Sequence, residues 1–486
     1  MKLCDLLCGL PVQPEVRGNR EIPVDALITD SRVKTENGLF FCIRGLRFDA
    51  HTFADQAEKN GCTALVVDHF VDSPLVQVKV ENVRSAMAYL AGAFFDYPAR
   101  NLRMVGITGT KGKTTSSYLT KAILEKAGMK VGLIGTTGNM IGKRYMESNM
   151  TTPDPVDLHR TLRQMVDEGV EAVVMEVSAH AVAMNRLDGI QFEAAAYTNL
   201  SQDHLDYFGT MDKYFETKKS FFLSGVVRSA ALNADEETST DILREMRVPA
   251  VTYGISADAG VYARDIEINE DGVSFSLHLR NGDPVKVQMH LTGMFNVYNA
   301  LCSASLTMIL GVPGETIRQG LEEVTNVPGR VEVLETSTPY KVILDYAHSP
   351  NALENILKTV RAFTKRRLIV LVGCGGDRDQ GKRPMMGEIA GRLADYTILT
   401  SDNPRSEDPN AILRSMENGI TRTEGRYTVI ENRREAIRHG LENAGDGDVL
   451  ILAGKGNENY QEIMGVKRPF DERLIVREIL EEMQRK

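Results

Sequence analysis

The chain has 486 residues and a formal net charge of −9, from 57 lysines and arginines against 66 aspartates and glutamates. This length exceeds a single hydrophobic core, and at about 150 residues per domain we expect three domains. The acidic balance excludes the basic face that a nucleic-acid partner requires, so we expect no nucleic acid. No apolar run has the length of a membrane span and no signal pattern opens the chain, which predicts a cytoplasmic protein without membrane insertion.

Residues 1–99 form the first predicted domain, a small α/β module. Short β-like runs occupy 64–67 and 76–80, and a helical stretch is closed by Tyr97 and Pro98. This block carries no nucleotide motif. From Arg103 onward, apolar strands alternate with amphipathic helices to about residue 325, which predicts a mostly parallel sheet in a central domain, residues 100–327.

A second series of strands and helices follows a predicted hinge at 326–329, where proline and glycine interrupt the chain. It defines a third domain, residues 328–486. Its predicted strands, 342–344, 368–372, 396–400 and 449–452, each run into a polar loop, and ligands bind beyond the carboxyl ends of such strands. We therefore expect four loops to face one cleft. The predicted class is α/β, with a central P-loop-type sheet, a Rossmann-like C-terminal domain and a small N-terminal α/β domain.

The strongest local signal is a glycine-rich loop between the strand 104–107 and an amphipathic helix. The loop reads Thr108-Gly109-Thr110-Lys111-Gly112-Lys113-Thr114-Thr115. Glycines let backbone amides curl around phosphate oxygens, Lys113 supplies a cation for the outer phosphates, and the Thr114 hydroxyl can ligate Mg²⁺. The first glycine of the general P-loop would fall at Ile107, and an ordinary glycine turn before a helix is the alternative. The loop predicts binding of a nucleoside triphosphate.

This variant of the loop resembles the phosphate loop of the Mur ligases, and other motifs extend the resemblance over essentially the whole chain. These are Thr29-Asp30-Ser31-Arg32, Thr151-Thr152-Pro153, Met175-Glu176-Val177-Ser178-Ala179-His180, Thr198-Asn199-Leu200, Asp203-His204-Leu205-Asp206 and Asp345-Tyr346-Ala347-His348. The resemblance implies an ADP-forming ligase of cell-wall peptide synthesis that activates a carboxylate as an acyl phosphate and joins it to an amino acid. It implies ATP and Mg²⁺ as cofactors.

The expected catalytic residues include metal ligands. Glu176 closes the apolar run 172–175, so it should stand at a strand end facing the phosphate loop, where a carboxylate can hold Mg²⁺. A solvated strand-end glutamate is the alternative. The resemblance makes His204 a second ligand and Lys218 a lysine that the family carbamylates to bridge Mg²⁺, with Lys219 as the competing position. The implied catalytic set is Lys113, Glu176, His204 and Lys218, and the implied metal ligands are Thr114, Glu176, His204 and carbamylated Lys218.

The resemblance also places the nucleotide. Asn296 and Asn299 touch adenine in similar enzymes, because an amide can donate to and accept from the ring edge. Arg330 and Asp345 then reach the nucleotide from the third domain, with helix capping or surface pairing as the alternative. The full implied ATP-binding set is Gly109, Thr110, Lys111, Gly112, Lys113, Thr114, Thr115, Asn296, Asn299, Arg330 and Asp345.

The loop Asp402-Asn403-Pro404-Arg405 resembles that of family members specific for meso-diaminopimelate. This amino acid differs from lysine by a side-chain carboxylate, which the planar fork of Arg405 can bind. Asp402 and Asn403 can accept from the neighbouring ammonium, although a solvated turn is the alternative. The implied amino-acid site comprises Arg378, Asp402, Asn403, Pro404, Arg405, Gly454 and Glu458. Many relatives have histidine where this chain has Asn457.

By the same resemblance the acceptor is UDP-N-acetylmuramoyl-L-alanyl-D-glutamate, a UDP-N-acetylmuramoyl-dipeptide. Its uridine end would lie near Ser31, and its peptide would pass Thr151, Thr152, Ser178 and Arg186. We expect a monomer. Three alternatives stay open: a family member that adds L-lysine, a folylpolyglutamate synthase with a similar phosphate loop, and a P-loop NTPase module without ligase activity.

Overall fold

A computed structural model gives the architecture of the chain and describes residues 1–45, 48–146, 148, 150–256, 258–280 and 282–485. Within these residues, three large sheets follow one another along the chain, each covered by its own helices. The predicted α/β class is confirmed. None of the described helices combines the length and apolar character needed to cross a bilayer.

The first sheet has five strands in the order β1-β5-β4-β3-β2, and only the β1–β5 pair is antiparallel. Its strands are β1 Glu15–Arg17, β2 Ala26–Ile28, β3 Gly38–Phe41, β4 Cys62–Val67 and β5 Val76–Lys79. Its helices are α1 Leu3–Leu7, α2 Ala54–Lys59 and α3 Val83–Phe94, with 3₁₀ turns at Ala50–Phe53 and Pro98–Asn101. Helix α3 buries one face against the first sheet, and it also packs against α5 of the central unit.

The central sheet is the largest and carries the phosphate loop. Its strands are β6 Arg103–Thr108, β7 Val131–Gly135, β8 Gly138–Ile141, β9 Arg144–Met146, β10 Ala172–Glu176, β11 Ala194–Tyr197, β12 Ala230–Asn233, β13 Ala250–Gly254, β14 Val261–Asn269, β15 Gly272–Leu279 and β16 Val285–Met289. Its helices are α4 Lys113–Lys126, α5 Pro155–Asp167, α6 Ala179–Ala183, α7 Leu205–Phe208, α8 Met211–Leu223, α9 Ser239–Glu245, α10 Met294–Ile309 and α11 Gly314–Glu323.

Strand β6 lies at the centre of this sheet, between β10 and β11 and parallel to both. The three strands are buried on both faces, because α4 and α10 cover one side and α5 and α8 the other, and such strands read as apolar runs. The register pairs Glu176 with Ile107, immediately before the phosphate loop. The prediction that Glu176 lies at a strand end beside the phosphate loop is therefore confirmed.

The predicted alternation of strands and helices breaks down over β14, β15 and β16. These strands form an antiparallel meander without intervening helices. The second half of β14 is largely exposed and polar, so this strand lacks the apolar run by which a buried strand is predicted from sequence. Strand β11 ends at Tyr197, and the segment that follows it up to α7 is loop.

The third sheet has six strands in the order β17-β18-β22-β19-β20-β21, antiparallel only at β17–β18. The strands are β17 Glu332–Leu334, β18 Lys341–Asp345, β19 Leu368–Val372, β20 Tyr396–Leu399, β21 Tyr427–Val429 and β22 Val449–Ala453. A hairpin adds β23 Tyr460–Ile463 and β24 Val466–Pro469. The helices are α12 Pro350–Arg361, α13 Lys382–Leu393, α14 Pro409–Ile420, α15 Arg433–Asn443 and α16 Glu472–Gln484. All four predicted strands are present, and hydrogen bonds join their loops at one edge of the sheet. Of these four loops, the ones after β18 and β19 line the main cleft.

Candidate active site

The phosphate loop joins the end of β6 to the start of α4, and two glycines let it pack tightly. Gly109 and Gly112 have φ values of 142° and 87°, which side-chain-bearing residues rarely adopt. A Cβ atom at Gly109 would lie 1.9 Å from Thr198 Oγ1, and one at Gly112 would lie 2.5 Å from Asn299 Oδ1. The loop therefore needs glycine at both positions.

The segment after β11 holds the loop in place. Thr110 N donates to the Asn199 carbonyl oxygen at 2.8 Å, and Lys111 N donates to Asn199 Oδ1 at 2.9 Å. Thr198 Oγ1 returns a hydrogen bond to the Lys111 carbonyl oxygen at 2.6 Å. The loop conformation is thus fixed by its own neighbours, which suits preorganised binding of phosphate.

Two lysines approach this loop from opposite ends. Lys113 Nζ donates to the carbonyl oxygens of Gly109 and Thr110 at 2.9 and 3.0 Å, and burial lowers its pKa to about 8. Lys218, from α8, donates to the same Gly109 oxygen at 2.8 Å and is 1% exposed. Lys219 instead pairs with Glu216 and Glu245. Of the two competing lysines, Lys218 is the one beneath the phosphate loop.

Burial, together with the neighbouring Lys113, holds the pKa of Lys218 well below its ordinary value. Lys218 Nζ lies 4.5 Å from the centre of the Tyr214 ring, and no carboxylate among the described residues forms an ion pair with it. A neutral amine is the form that can add carbon dioxide and become an anionic oxygen donor. The environment of Lys218 favours that form.

Glu176 is fully buried at the end of β10, where its carboxylate lies between the phosphate loop and Thr136. Oε2 accepts from the hydroxyls of Thr114 and Thr136, each at 3.1 Å, and Oε1 accepts from Thr136 N at 2.9 Å. The alternative of a solvated strand-end glutamate is therefore wrong. A carboxylate beside a threonine hydroxyl offers hard oxygen donors, which is the set that Mg²⁺ prefers.

His204 lies in a loop after β11 with a left-handed backbone, φ 56°. Its ring packs edge-on to His180, with centroids 4.9 Å apart, and burial lowers its pKa to about 3. The imidazole is therefore neutral at physiological pH, which is the form that binds a metal. Glu176 and Thr114 supply the oxygen donors that Mg²⁺ prefers, whereas an imidazole such as that of His204 more often binds other metals, and the amine of Lys218 would serve only after carbamylation.

The hinge between the central and third units also reaches the loop. Arg330 Nη2 donates to Thr114 Oγ1 at 3.0 Å, and its guanidinium lies over the Tyr346 ring. Asp345 accepts from Val331 N and Ala347 N, both at 2.8 Å, and burial raises its pKa. Asp345 thus neither caps a helix nor pairs at the surface. It holds Val331 in a left-handed conformation, φ 48°.

The two predicted adenine contacts differ in accessibility. Asn299 lines the cleft beside Gly112 and accepts from Ser116 Oγ at 3.3 Å. Asn296 lies behind it, donating to the Thr292 carbonyl oxygen at 2.8 Å and accepting from Asn299 Nδ2 at 2.9 Å. Asn296 therefore orients Asn299, and Asn299 is the amide that faces a ligand.

Four of the residues expected along the peptide path come together near Glu176. Thr152 Oγ1 donates to the Glu176 carbonyl oxygen at 2.8 Å, and Thr151 Oγ1 is 3.0 Å from Thr136 Oγ1. Ser178 N donates to Thr152 Oγ1, and Arg186 Nη1 donates to the Thr152 carbonyl oxygen at 2.7 Å. All four line the same cleft. Ser31 lies apart on the first unit, where its hydroxyl donates to Gln56.

At the edge of the third sheet, glycines let two loops approach closely. A Cβ at Gly376 would lie 2.0 Å from the Pro404 carbonyl oxygen, and one at Gly375 would lie 2.8 Å from Arg405 Nη1. Arg405 Nη1 donates to the Gly376 carbonyl oxygen at 2.6 Å. Arg378 follows the same glycines and lines the main cleft. Both predicted carboxylate-binding arginines therefore belong to one edge.

Arg405 has a left-handed backbone, φ 52°, which is strained for a residue with a side chain. The hairpin holds it there: Arg405 N donates to the Glu462 carbonyl oxygen at 3.0 Å, and Met464 N donates to the Arg405 carbonyl oxygen at 2.6 Å. The alternative of a solvated turn is wrong, because Asp402 and Asn403 are buried. Gly454, with φ 114°, leaves room for Asp402 Oδ2, which lies 2.6 Å from the place of a Cβ.

Asn403 makes more internal hydrogen bonds than the sequence suggested. Its Oδ1 accepts from Lys455 Nζ at 3.0 Å and from Glu462 N at 2.9 Å, while Nδ2 donates to Glu458 Oε2 at 2.8 Å. Because both lone pairs of Oδ1 are used, Asn403 has no acceptor left for an incoming ammonium. It orients Glu458 instead, and Asp402 Oδ2, buried without a hydrogen-bond partner, is the free acceptor.

Several site residues had no role assigned from the sequence. Asp203 pairs with Lys111 at 3.0 Å and lies 3.8 Å from His348 Nε2. Burial opposes ionisation of Asp203, but the charge of Lys111 and the interaction with His348 hold its pKa well below the ordinary range. Tyr346 donates to Glu458 Oε1 at 3.4 Å and so connects the two halves of the site. Asp203 and His348 lay within motifs already singled out, whereas Thr136 carried no sequence signal.

These groups surround a cleft of about 770 Å³, which has room for a nucleoside triphosphate and the reacting end of a second substrate. Its walls carry phosphate-loop cations, a buried carboxylate and the hinge arginine. Such an arrangement suits phosphoryl transfer to a bound acceptor, followed by attack from a group held on the third unit.

The chain matches two protein-family models, the Mur ligase middle domain over residues 107–307 and the Mur ligase glutamate ligase domain over residues 329–456. A UDP-N-acetylmuramoyl-L-alanyl-D-glutamate–2,6-diaminopimelate ligase from Caldanaerobacter subterraneus subsp. tengcongensis is 43% identical over 487 residues, 100% of each chain. A ligase of the same name from Geobacillus thermodenitrificans is also 43% identical, over 99% of this chain and 100% of its own.

Solved structures of Mur ligases are also similar to this chain. A structure of a ligase with that same name superposes with a TM-score of 0.70 at 31% identity, covering 100% of both chains. A MurF ligase from Thermotoga maritima in complex with ADP has a TM-score of 0.63 at 18% identity, covering 95% of this chain and 98% of its own. At that identity the second likeness shows the fold alone.

Proposed function

The chain belongs to the Mur ligase family, and we propose that it adds meso-2,6-diaminopimelate to the D-glutamate of UDP-N-acetylmuramoyl-L-alanyl-D-glutamate, using ATP, in peptidoglycan precursor synthesis. The observation that carries this proposal is the placement of Arg405, Arg378 and the buried Asp402 on neighbouring loops at the edge of the third sheet, where Arg378 also lines the phosphate-loop cleft. That set of charges suits an amino acid with a second carboxylate. The full-length relatives at 43% identity support the same activity.

In the first step the γ-carboxylate of D-glutamate attacks the γ-phosphorus of ATP, and the bond to the β-phosphate oxygen breaks. The products are an acyl phosphate and ADP. Lys113 and the backbone amides of the phosphate loop stabilise charge on the transferred group, and Arg330 adds a cation from the hinge. Asn299 is the residue proposed to meet the adenine, with Asn296 orienting it.

The metal proposed for this site is Mg²⁺, held by Glu176, Thr114, His204 and the carbamate of Lys218. When bound, it would neutralise negative charge on the phosphates. Support comes from the buried carboxylate at the loop, the neutral imidazole of His204 and the lowered pKa of Lys218. Infrared or mass-spectrometric detection of the added carbon dioxide on Lys218 would test the carbamate directly.

In the second step a neutral amine of diaminopimelate attacks the acyl carbonyl, the tetrahedral intermediate collapses, and phosphate leaves as the amide forms. One proton is released from the amine. Arg405 and Arg378 are proposed to bind carboxylates, and Asp402 and Glu458 to bind the remaining ammonium. Asn403, Pro404 and Gly454 shape the loops that carry these groups.

The acceptor is proposed to extend from Thr151, Thr152, Ser178 and Arg186 toward the first unit, with its uridine end near Ser31. A second cavity of about 400 Å³ supports this path. It lies beside the Ser31 loop and is lined by Thr29, Asp30, Phe94, Phe95 and Arg160 among others. An aromatic pair with a nearby arginine suits a nucleotide base and an anionic linker.

We propose domain boundaries at 99/100 and 327/328, which the separate cores of the three sheets support. Each group of the proposed site comes from one chain, which supports a monomeric enzyme. Use of ATP and of a UDP-linked precursor supports a cytoplasmic location.

The proposal is tested by measuring phosphate release from ATP with UDP-N-acetylmuramoyl-dipeptide and either meso-diaminopimelate, L-lysine or no amino acid. Release that requires diaminopimelate is expected. Release with lysine at an equal rate would keep the ligase chemistry and overturn the specificity. Release without any amino acid would favour an NTPase module over a ligase.

A further inference from the structure

Lys455 is a fully buried lysine in the third unit that the proposed chemistry does not use. It lies in the loop after β22, and its side chain is 0% exposed. Its Nζ donates to Asn403 Oδ1 at 3.0 Å and to Glu458 Oε2 at 3.2 Å. A buried ammonium is unfavourable unless its charge and hydrogen bonds are satisfied, so its position between these groups requires an explanation.

The contacts of Lys455 determine which atom of Glu458 is available. Oε2 is held from the interior by both Lys455 Nζ and Asn403 Nδ2, the latter at 2.8 Å. Oε1 is left to face the Tyr346 hydroxyl at 3.4 Å, on the side of the cleft. One carboxylate oxygen is therefore fixed inward, and the other is presented outward in a defined direction.

Lys455 also sets the charge of the amino-acid pocket. Asp402 and Glu458 contribute two negative charges, and Lys455 cancels one of them. Two further cations are already paired: Arg405 lies 3.6 Å from Glu462, and the buried Arg433, whose charge also acts on Asp402, pairs with Glu472. One net negative charge remains at the acids. A diaminopimelate with one amine deprotonated for attack carries a single ammonium, which matches this count.

We propose that Lys455 is a positioning residue of the amino-acid site: it fixes Glu458 and Asn403 so that Glu458 Oε1 and Asp402 receive the one ammonium of the bound amino acid. This inference rests on the proposed function. Lys455 acts through its neighbours and does not touch the reacting atoms, so its loss should affect the amino-acid step and spare acyl phosphate formation.

The test compares two acceptors of the acyl phosphate. Lys455→Met should raise the KM for diaminopimelate about tenfold or more, with the KM for ATP within about twofold of wild type. Hydroxylamine attacks an acyl phosphate without needing the amino-acid pocket, so ATP-dependent hydroxamate formation from the UDP-dipeptide should stay near the wild-type rate. That reaction also shows that the variant is folded.

Two further variants sharpen the result. Lys455→Gln keeps a hydrogen-bond donor and should recover part of the affinity for diaminopimelate. Lys467→Met is the matched control, because both lysines lie over the Tyr460 ring, with Nζ 5.7 Å from the ring centre for Lys455 and 4.3 Å for Lys467, but Lys467 is exposed. It should behave as wild type.

An unchanged KM for diaminopimelate in Lys455→Met would overturn the proposal. So would an equal loss of hydroxamate formation, since that would make Lys455 a residue of general stability. Wild-type protein that forms hydroxamate but shows no dependence on diaminopimelate would instead overturn the proposed amino acid, and wild-type protein that forms neither product would overturn the ligase itself.

Discussion

Replacing Arg405 by alanine should weaken the binding of diaminopimelate selectively. The side chain of Arg405 is 20% exposed, its Nη1 donates to the Gly376 carbonyl oxygen at 2.6 Å, and its Nε is 3.6 Å from Glu462 Oε2. These contacts engage Nε and one N–H of Nη1. Nη2 and the second N–H of Nη1 have no hydrogen-bond acceptor among the described residues, and together they can bind a carboxylate as a fork.

The size of the effect follows from the charge-assisted bonds that would be lost. A hydrogen bond to a charged group contributes about 1.5–3 kcal/mol. Glu462 competes for the same cation, so we take the fork as one such contribution, a loss of about 2–3 kcal/mol. Since about 1.4 kcal/mol corresponds to a factor of ten, the KM for diaminopimelate should rise about 30- to 150-fold.

The assay is phosphate release at saturating ATP and UDP-dipeptide, with diaminopimelate or lysine varied. The KM for ATP should stay within about twofold, and the preference for diaminopimelate over lysine should shrink, because lysine lacks the carboxylate that Arg405 binds. Arg405→Gly loses the same side chain but relieves the strained φ of 52°, so it separates backbone effects from side-chain effects. Arg468→Ala, an exposed arginine on β24, is the control. Equal rises in the KM values for ATP and diaminopimelate would refute the assignment.

Three further predictions concern buried groups. Glu176→Gln should lower kcat/KM at least about 100-fold and raise the Mg²⁺ needed for half-maximal rate, measured by Mg²⁺ titration. Burial lowers the pKa of His159 from 6.5 to about 4, so its contribution to stability is complete above pH 6.5 and is lost as pH falls toward 4. Between pH 6.5 and 4, the free energy of unfolding of wild type should therefore fall by up to about 3 kcal/mol more than that of His159→Phe, as measured by urea unfolding. Arg433→Met should destabilise by about 3–5 kcal/mol, because it leaves Glu472 buried and unpaired, and adding Glu472→Leu should recover most of this.

Each of these has an outcome that contradicts it. An unchanged Mg²⁺ requirement in Glu176→Gln would remove this carboxylate from the metal site. Parallel stability curves for wild type and His159→Phe between pH 6.5 and 4 would mean that folding does not lower the pKa of His159. A double variant no more stable than Arg433→Met would show that the lost bonds to the Ser401 and Ala453 carbonyl oxygens, at 3.3 and 2.9 Å, dominate over the ion pair.

The parts of the site that sequence predicted are those fixed by local rules. A strand running into a glycine-rich loop and a helix needs no tertiary information, and the carboxylate of Glu176 followed from its place at the end of an apolar run. In a parallel sheet such strand ends meet at one edge, so two local patterns are enough to bring them together. The four loops of the third sheet were predicted for the same reason.

The parts that sequence missed depend on contacts between distant segments. The meander β14–β16 exposes one face, so it lacks the apolar runs that reveal buried strands. The hairpin 460–469 sets the backbone of Arg405 through hydrogen bonds to residue 405 from positions far along the chain. Lys455 reads as an ordinary surface residue until Asn403 and Glu458 are placed around it.

The contacts between the central and third units are of a kind that permits the two units to move relative to each other. Near the phosphate loop they are polar: Arg330 to Thr114 at 3.0 Å and Asp203 to His348 at 3.8 Å. Water can replace such contacts at small net free energy, unlike an apolar core, and the hydrophobic cores of the two units are separate. Asp345 fixes the hinge at Val331, so motion would pivot near this residue. Motion of the third unit about this hinge would carry Arg405 and Glu458 with it, so the same contacts that hold Arg330 at Thr114 determine how closely the amino-acid site approaches the phosphate loop.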